Sequence, residues 1–198
     1  MLIYDIEIVK GILGEDETAK EDIEYCEGWN DHKNMGISCV CAYDYQKDQY
    51  RAFCADNLDE FASLVNSRPL AIGFNNLRFD NSVLRAFNID IPDDKVYDVL
   101  VEVWLGKGLG PTFKFPTHVG YGLDACVKAN FGGAKTGHGA MAPIDWQRGN
   151  IGTVIDYCLN DVYLTKKLVD RIIRMGGIVC PREDKWINMR GLRPTIRR

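Results

Sequence analysis

Asp5 and Glu7 stand two apart in the apolar stretch LIYDIEIV, residues 2–9. Alternate residues of an extended chain share a face. Both carboxylates therefore leave on the side of Ile3 and Val9, opposite Leu2, Tyr4, Ile6 and Ile8. An unpaired buried charge costs on the order of several kcal/mol, so something must neutralise them. A third acid, Asp80, lies in LAIGFNNLRFDNSVL (70–84), in the first turn of a helix that follows a buried strand. That is where open α/β sheets place their ligands. A fourth, Asp161, follows Tyr157 by four residues in IDYCLNDVYLTKKL (155–168), so the two are neighbours on one helix face. If these three segments converge, Asp5, Glu7, Asp80 and Asp161 form a pocket that cannot fully ionise without cations. Hard divalent ions with oxygen ligands, Mg²⁺ or Mn²⁺, suit such a set. Two of them about 3.5–4 Å apart stabilise the entering and leaving oxygens of a phosphodiester displacement.

The elements that must position these groups are legible from periodicity. Residues 1–9, 35–45 and 49–55 read as three antiparallel strands, the last two joined by a turn around Lys47-Asp48. Residues 56–66 read as a helix capped by Asp56 or Asn57, with Leu58, Phe61, Leu64 and Val65 on one face. A short apolar strand in 68–75 precedes a helix over 79–88, and a strand at 95–99 runs into a helix near 98–105. Residues 106–120 read as loop, 121–130 as a helical turn or two, and 131–149 as loop again. A long helix over 150–175 buries a stripe from Ile155 to Ile173 and stops at Gly176-Gly177, and residues 178–180 suit an edge strand. The pattern predicts an α/β domain with a mixed sheet, antiparallel in its first three strands and then parallel, flanked by helices. Residues 1–180 form one domain in this reading, with 11–34 an acidic surface insertion and 181–198 a basic C-terminal tail.

Composition is consistent with this. With 46% hydrophobic and 26% charged residues the chain is neither disordered nor membrane-spanning in type. The start MLIYD lacks the features of a signal peptide, so a cytoplasmic location is expected. Seven cysteines without a CxxC pair read as buried free thiols. Charge is unevenly spread: residues 1–60 carry a net −10 and residues 166–198 a net +7. The basic end, including Arg190, Arg193, Arg197 and Arg198, suits either an anionic partner or solvent.

Taken in order, D-x-E on the first strand, N-x2/3-F-D after a central strand and Y-x3-D on the last long helix resemble the DEDD superfamily of 3′–5′ exonucleases. Those enzymes have a ribonuclease-H-like fold and include polymerase proofreading domains and several RNases. Here the motifs are Asp5-Ile6-Glu7, Asn75 or Asn76 with Phe79-Asp80, and Tyr157 with Asp161, and the likeness runs from residue 1 to about 170. One branch of the superfamily carries histidine five residues before the last aspartate. Asp156 occupies that place and Tyr157 the next, so the chain resembles the tyrosine branch. A second D-x-E, Asp22-Ile23-Glu24, lacks apolar flanks and reads as a solvated charge run.

The resemblance implies hydrolysis of terminal phosphodiesters to nucleoside monophosphates with two divalent cations, Mg²⁺ or Mn²⁺, held by Asp5, Glu7, Asp80 and Asp161. Tyr157 would orient the attacking water, since a phenol of pKa near 10 is a poor base at neutral pH. Asn75 or Asn76 would contact the terminal nucleotide, the motif tolerating either register. Phe79 reads as core beneath Asp80, with base stacking as the alternative. GGAKTGHG (132–139) is no phosphate loop, because Ala134 replaces the glycine before the lysine. It reads as a lip from which Lys135 or His138 reaches substrate phosphate. Asp98 reads as a helix cap. The expected substrate is nucleic acid with a free 3′ end, single-stranded DNA before RNA, with a polymerase or other replication or repair partner in trans. The alternatives are an RNA 3′-end exonuclease and a catalytically silent nucleic-acid-binding subunit.

Overall fold

A computed structural model describes residues 1–14, 16–132 and 139–192. Strand β1 (Leu2–Ile8) lies at the centre of a five-stranded sheet. Its pleat splits the chain's apolar residues between two cores: Ile3 packs into one, and Leu2, Tyr4, Ile6 and Ile8 into the other. After β1 the chain makes the small parallel pair β2 (Gly11–Ile12) and β3 (Tyr25–Cys26), then a single helical turn, α1 (His32–Met35). The pair β2–β3 was not expected in the acidic insertion; two residues per strand give no periodicity to read. Strands β4 (Ile37–Asp44) and β5 (Gln49–Phe53) follow, and Asp48 adopts a positive φ of 50° in the turn between them.

Next come α2 (Leu58–Ser67), β6 (Ala71–Gly73), α3 (Asp80–Ala86), β7 (Val96–Asp98) and α4 (Val99–Gly106). The sheet order is β5-β4-β1-β6-β7. Strands β5, β4 and β1 are antiparallel to their neighbours, and β1, β6 and β7 run parallel, which is the mixed sheet expected. Helices α2 and α3 cover one face. On the other lie α4, α5 (Leu123–Phe131) and the 25-residue α7 (Ile151–Met175), which Gly176 terminates in the left-handed conformation.

Two regions depart from expectation. Residues 142–147, read as loop, form α6 (Ala142–Gln147), preceded by a tight turn at Gly139–Met141. Pro143 suits the first turn of a helix, where its missing N–H is not needed, and Ala142, Pro143 and Ile144 are buried. Gln147 then donates to the carbonyls of Val9 and Glu24 and accepts from the Glu24 amide, clipping the insertion to the domain. Arg148 pairs with Asp22 at 2.9 Å, so the second D-x-E lies at the surface as a charge pair. Beyond α7, β8 (Gly177–Val179) pairs with β9 (Trp186–Asn188) as a separate hairpin. Ile187, Met189 and Leu192 are buried, so the described part of the stretch read as a tail packs on the core.

Candidate functional site

The site forms where β6 stops short. Its register with β1 pairs Leu2 with Ala71 and Ile3 with Ile72, and β6 ends at Gly73. The N–H of Ile6 lies beyond that end, and the Asp80 carboxylate accepts it at 3.2 Å. Asp80 thereby bonds to the β1 backbone at the residue between Asp5 and Glu7 in the chain, although it comes from the far side of the turn.

That turn is built by GFNN. A Cβ on Gly73 would lie 2.7 Å from the Asn76 amide, so only glycine lets this side chain fold back. Asn75 takes a φ of +67°, which asparagine tolerates better than most residues. Asp98, at the end of β7, caps α4 through Leu100 and Val101 and accepts the amides of Asn75 and Leu77 as well. Asn76 donates to the Tyr4 hydroxyl at 2.9 Å, and Tyr4 donates in turn to Asn81. The two asparagines thus differ: Asn76 is fully buried in this network, and Asn75 is half-buried, with its side-chain oxygen buried and outside the network. Phe79 is half-buried and meets the exposed Trp29 of the insertion edge-on, centroids 5.9 Å apart.

On the opposite face of β1, acidic oxygens of Asp5 and Glu7 and the Cys158 sulfur all lie within 4.8 Å of one another. Helix α7 packs across β1 there, and Cys158 approaches the Asp5 carbonyl at 3.4 Å and its carboxylate at 3.6 Å. One turn on, Asp161 is buried; Tyr157, half-buried, points its hydroxyl toward Gly139. Burial first, then the charges of Asp98 and Asp161, push the Asp80 carboxyl up to about 7, against the backbone N–H groups that favour its ionised form. Burial likewise raises Asp98 despite its N–H partners. Asp5 and Glu7 of β1 thus meet Cys158 of α7, and Asp80, bonded to the β1 backbone, feels the charge of Asp161. Lys135 and His138 lie outside the described residues.

No family model matches this sequence, and no curated protein does. A solved structure shares the fold. It is the family B DNA polymerase from the hyperthermophilic archaeon Pyrobaculum calidifontis, 15% identical with a TM-score of 0.56. The match covers 86% of this chain and 24% of the polymerase, so the chain spans about a quarter of its length. Among the described residues no helix is long and apolar enough to cross a membrane.

The sequence pointed to the acids but not to Cys158, beside Asp5, or to Trp29, against Phe79. Trp29 lies in an insertion without readable periodicity. Cys158 stands beside Tyr157 in the chain, yet its closeness to Asp5 depends on how α7 crosses β1.

Proposed function

We propose that this protein is a metal-dependent 3′–5′ exonuclease of the tyrosine branch, hydrolysing the terminal phosphodiester of single-stranded DNA to release nucleoside monophosphates. This reading is supported by the close approach of Asp5 and Glu7, by Asp80 bonded to the amide of Ile6 and feeling the charge of Asp161, and by Tyr157 one turn before Asp161 on the same helix. The donor set fits Mg²⁺ or Mn²⁺: its carboxylates are hard oxygens, and Asp80 is held protonated towards neutral pH by burial and by neighbouring acids. Asp5, Glu7 and Asp161 would hold one ion, with Asp5 shared and Asp80 supporting a second. Bound, the pair supplies Lewis acidity and neutralises charge on the reacting phosphate.

The chain's own groups do the positioning. Asp80 fixes β1 against the turn through the Ile6 amide, which sets the aim of Asp5 and Glu7. Tyr157 offers its hydroxyl to orient the attacking water. The half-buried Asn75 offers an amide to the terminal nucleotide, and Phe79 with Trp29 offers aromatic surface beside it. The superfamily that the motifs resemble includes proofreading domains, and the fold is shared with part of a DNA polymerase, which supports DNA as substrate and a polymerase partner in trans. Seven free thiols agree with a reducing, cytoplasmic setting.

The test is digestion of 5′-labelled single-stranded DNA and RNA of matched sequence with Mg²⁺, Mn²⁺ or EDTA, beside an Asp5→Ala/Glu7→Ala variant. A metal-dependent ladder shortening from the 3′ end, absent in the variant and faster on DNA, is expected. Faster shortening of RNA would reassign the substrate. Binding without cleavage would replace the enzyme with a silent nucleic-acid-binding subunit.

A further inference from the structure

Cys39, Cys41 and Cys158 bring three sulfurs within 4.8 Å of one another, and each residue is fully buried. The first two alternate along β4 and therefore share the face that α7 covers; the third comes down from α7. A buried cysteine is ordinarily a small hydrophobe, and a single one asks for no explanation. Three whose sulfurs converge from two elements are different, because convergence is what coordination requires. Around an ion with metal–sulfur bonds of about 2.3 Å, sulfurs lie roughly 4 Å apart, so a contraction of under about 1 Å closes the set.

We propose that Cys39, Cys41 and Cys158 form a three-sulfur site for a thiophilic divalent cation of the zinc class, beneath the carboxylate pocket and independent of the exonuclease reading. Sulfur ligands select such an ion over Mg²⁺, and the carboxylates above do the reverse. All three thiols lose their protons to solvent as the ion enters, leaving a tris-thiolate site of net charge −1, and no oxidation state changes. Entry runs through the pocket: Cys158 lies 3.6 Å from the Asp5 carboxylate, and Asp5 is partly exposed. Sulfur from Cys158 and oxygen from Asp5 and Glu7 also lie within 4.8 Å of one another, a relay of ligands from the mouth to the thiols.

The probes are Cd²⁺ and Zn²⁺ added to reduced, metal-free protein. Cd²⁺ is expected to raise a thiolate charge-transfer band in the ultraviolet that saturates at one equivalent. The band should persist in Asp5→Ala/Glu7→Ala and in Cys26→Ser/Cys54→Ser, which alters the two half-buried thiols, and vanish in Cys39→Ala/Cys41→Ala. X-ray absorption of wild-type protein with one equivalent of Zn²⁺ should show sulfur neighbours at about 2.3 Å. That measurement decides the question without any variant, should the alanine pair not fold. Oxygen or nitrogen neighbours alone, or a band that survives in Cys39→Ala/Cys41→Ala, would overturn the site.

Discussion

Two buried aspartates at opposite ends of one sheet have opposite fates. Asp44 ends β4 opposite Leu2, and Arg68 grips it with two guanidinium bonds. Burial works against its charge, but Arg68 and the Gln46 amide outweigh that and hold the carboxyl below its usual range. Asp80 is as deeply placed, and burial first, then the acids Asp98 and Asp161, raise it to about 7 against its backbone N–H partners. The protein supplies Asp44 with its own cation and sets Asp80 among like charges. The first arrangement serves the fold. The second costs the fold something, and a bound cation would offset that cost.

The sharpest test exchanges the two roles. Asp80→Asn keeps an acceptor for the Ile6 amide and removes a charge. It should reduce the proposed exonuclease activity by more than about a hundredfold, beyond what loss of a supporting group costs, while leaving the metal-free melting temperature unchanged or higher. Arg68→Ala should do the reverse. Leaving Asp44 buried without its guanidinium costs about 3 kcal/mol, measurable by urea denaturation, with turnover per folded molecule intact. A loss of stability in both variants, with activity kept in both, would break the comparison.

The pH dependence separates the two acids next. Unfolded, each aspartate ionises near the ordinary aspartate value of about 3.9. Folded and metal-free, Asp80 keeps its proton towards neutral pH, so its contribution is fully present below about pH 4 and lost as pH rises to about 7. Asp44, lowered, contributes above about pH 4 and loses that contribution as pH falls through its folded value. Denaturation in EDTA at stepped pH should show both limbs. Asp80→Asn should flatten the neutral one, and Mg²⁺ should flatten it in wild-type protein.

Smaller effects follow at the rim. Tyr157→Phe should lower kcat by roughly ten- to a hundredfold, at or below the low end of proton-transfer effects, with KM little changed, if the hydroxyl positions water. Gln147→Ala should be the mildest. It should speed hydrogen exchange at the Glu24 amide, which Gln147 now holds at 2.7 Å, and leave global stability close to wild type.

The parts legible in advance were those with period or spacing. LIYDIEI is apolar almost throughout because each face of β1 meets a core, and α7 shows its stripe over seven turns. Asp98 as a helix cap was likewise readable, since a cap is local. Helix α6 was not, because six residues with a proline carry little propensity and are held by tertiary bonds from Gln147 to Val9 and Glu24. That Asn76 is the one tied into the core depended on Tyr4, a partner 72 residues away. The alternation of Cys39 and Cys41 showed on the page, but the third sulfur came from a helix more than a hundred residues later.

The notch left by the short β6 has a kinetic consequence. Three of the four acids lie within the first 80 residues, and the fourth arrives only when α7 docks across β1. The step that completes the larger core therefore also brings Asp161 up to Asp80, so hydrophobic gain and like-charge repulsion meet in one event. Divalent cations, by screening that approach, would act on the docking of the last helix and leave the earlier hairpin of β4 and β5 to form at its own rate.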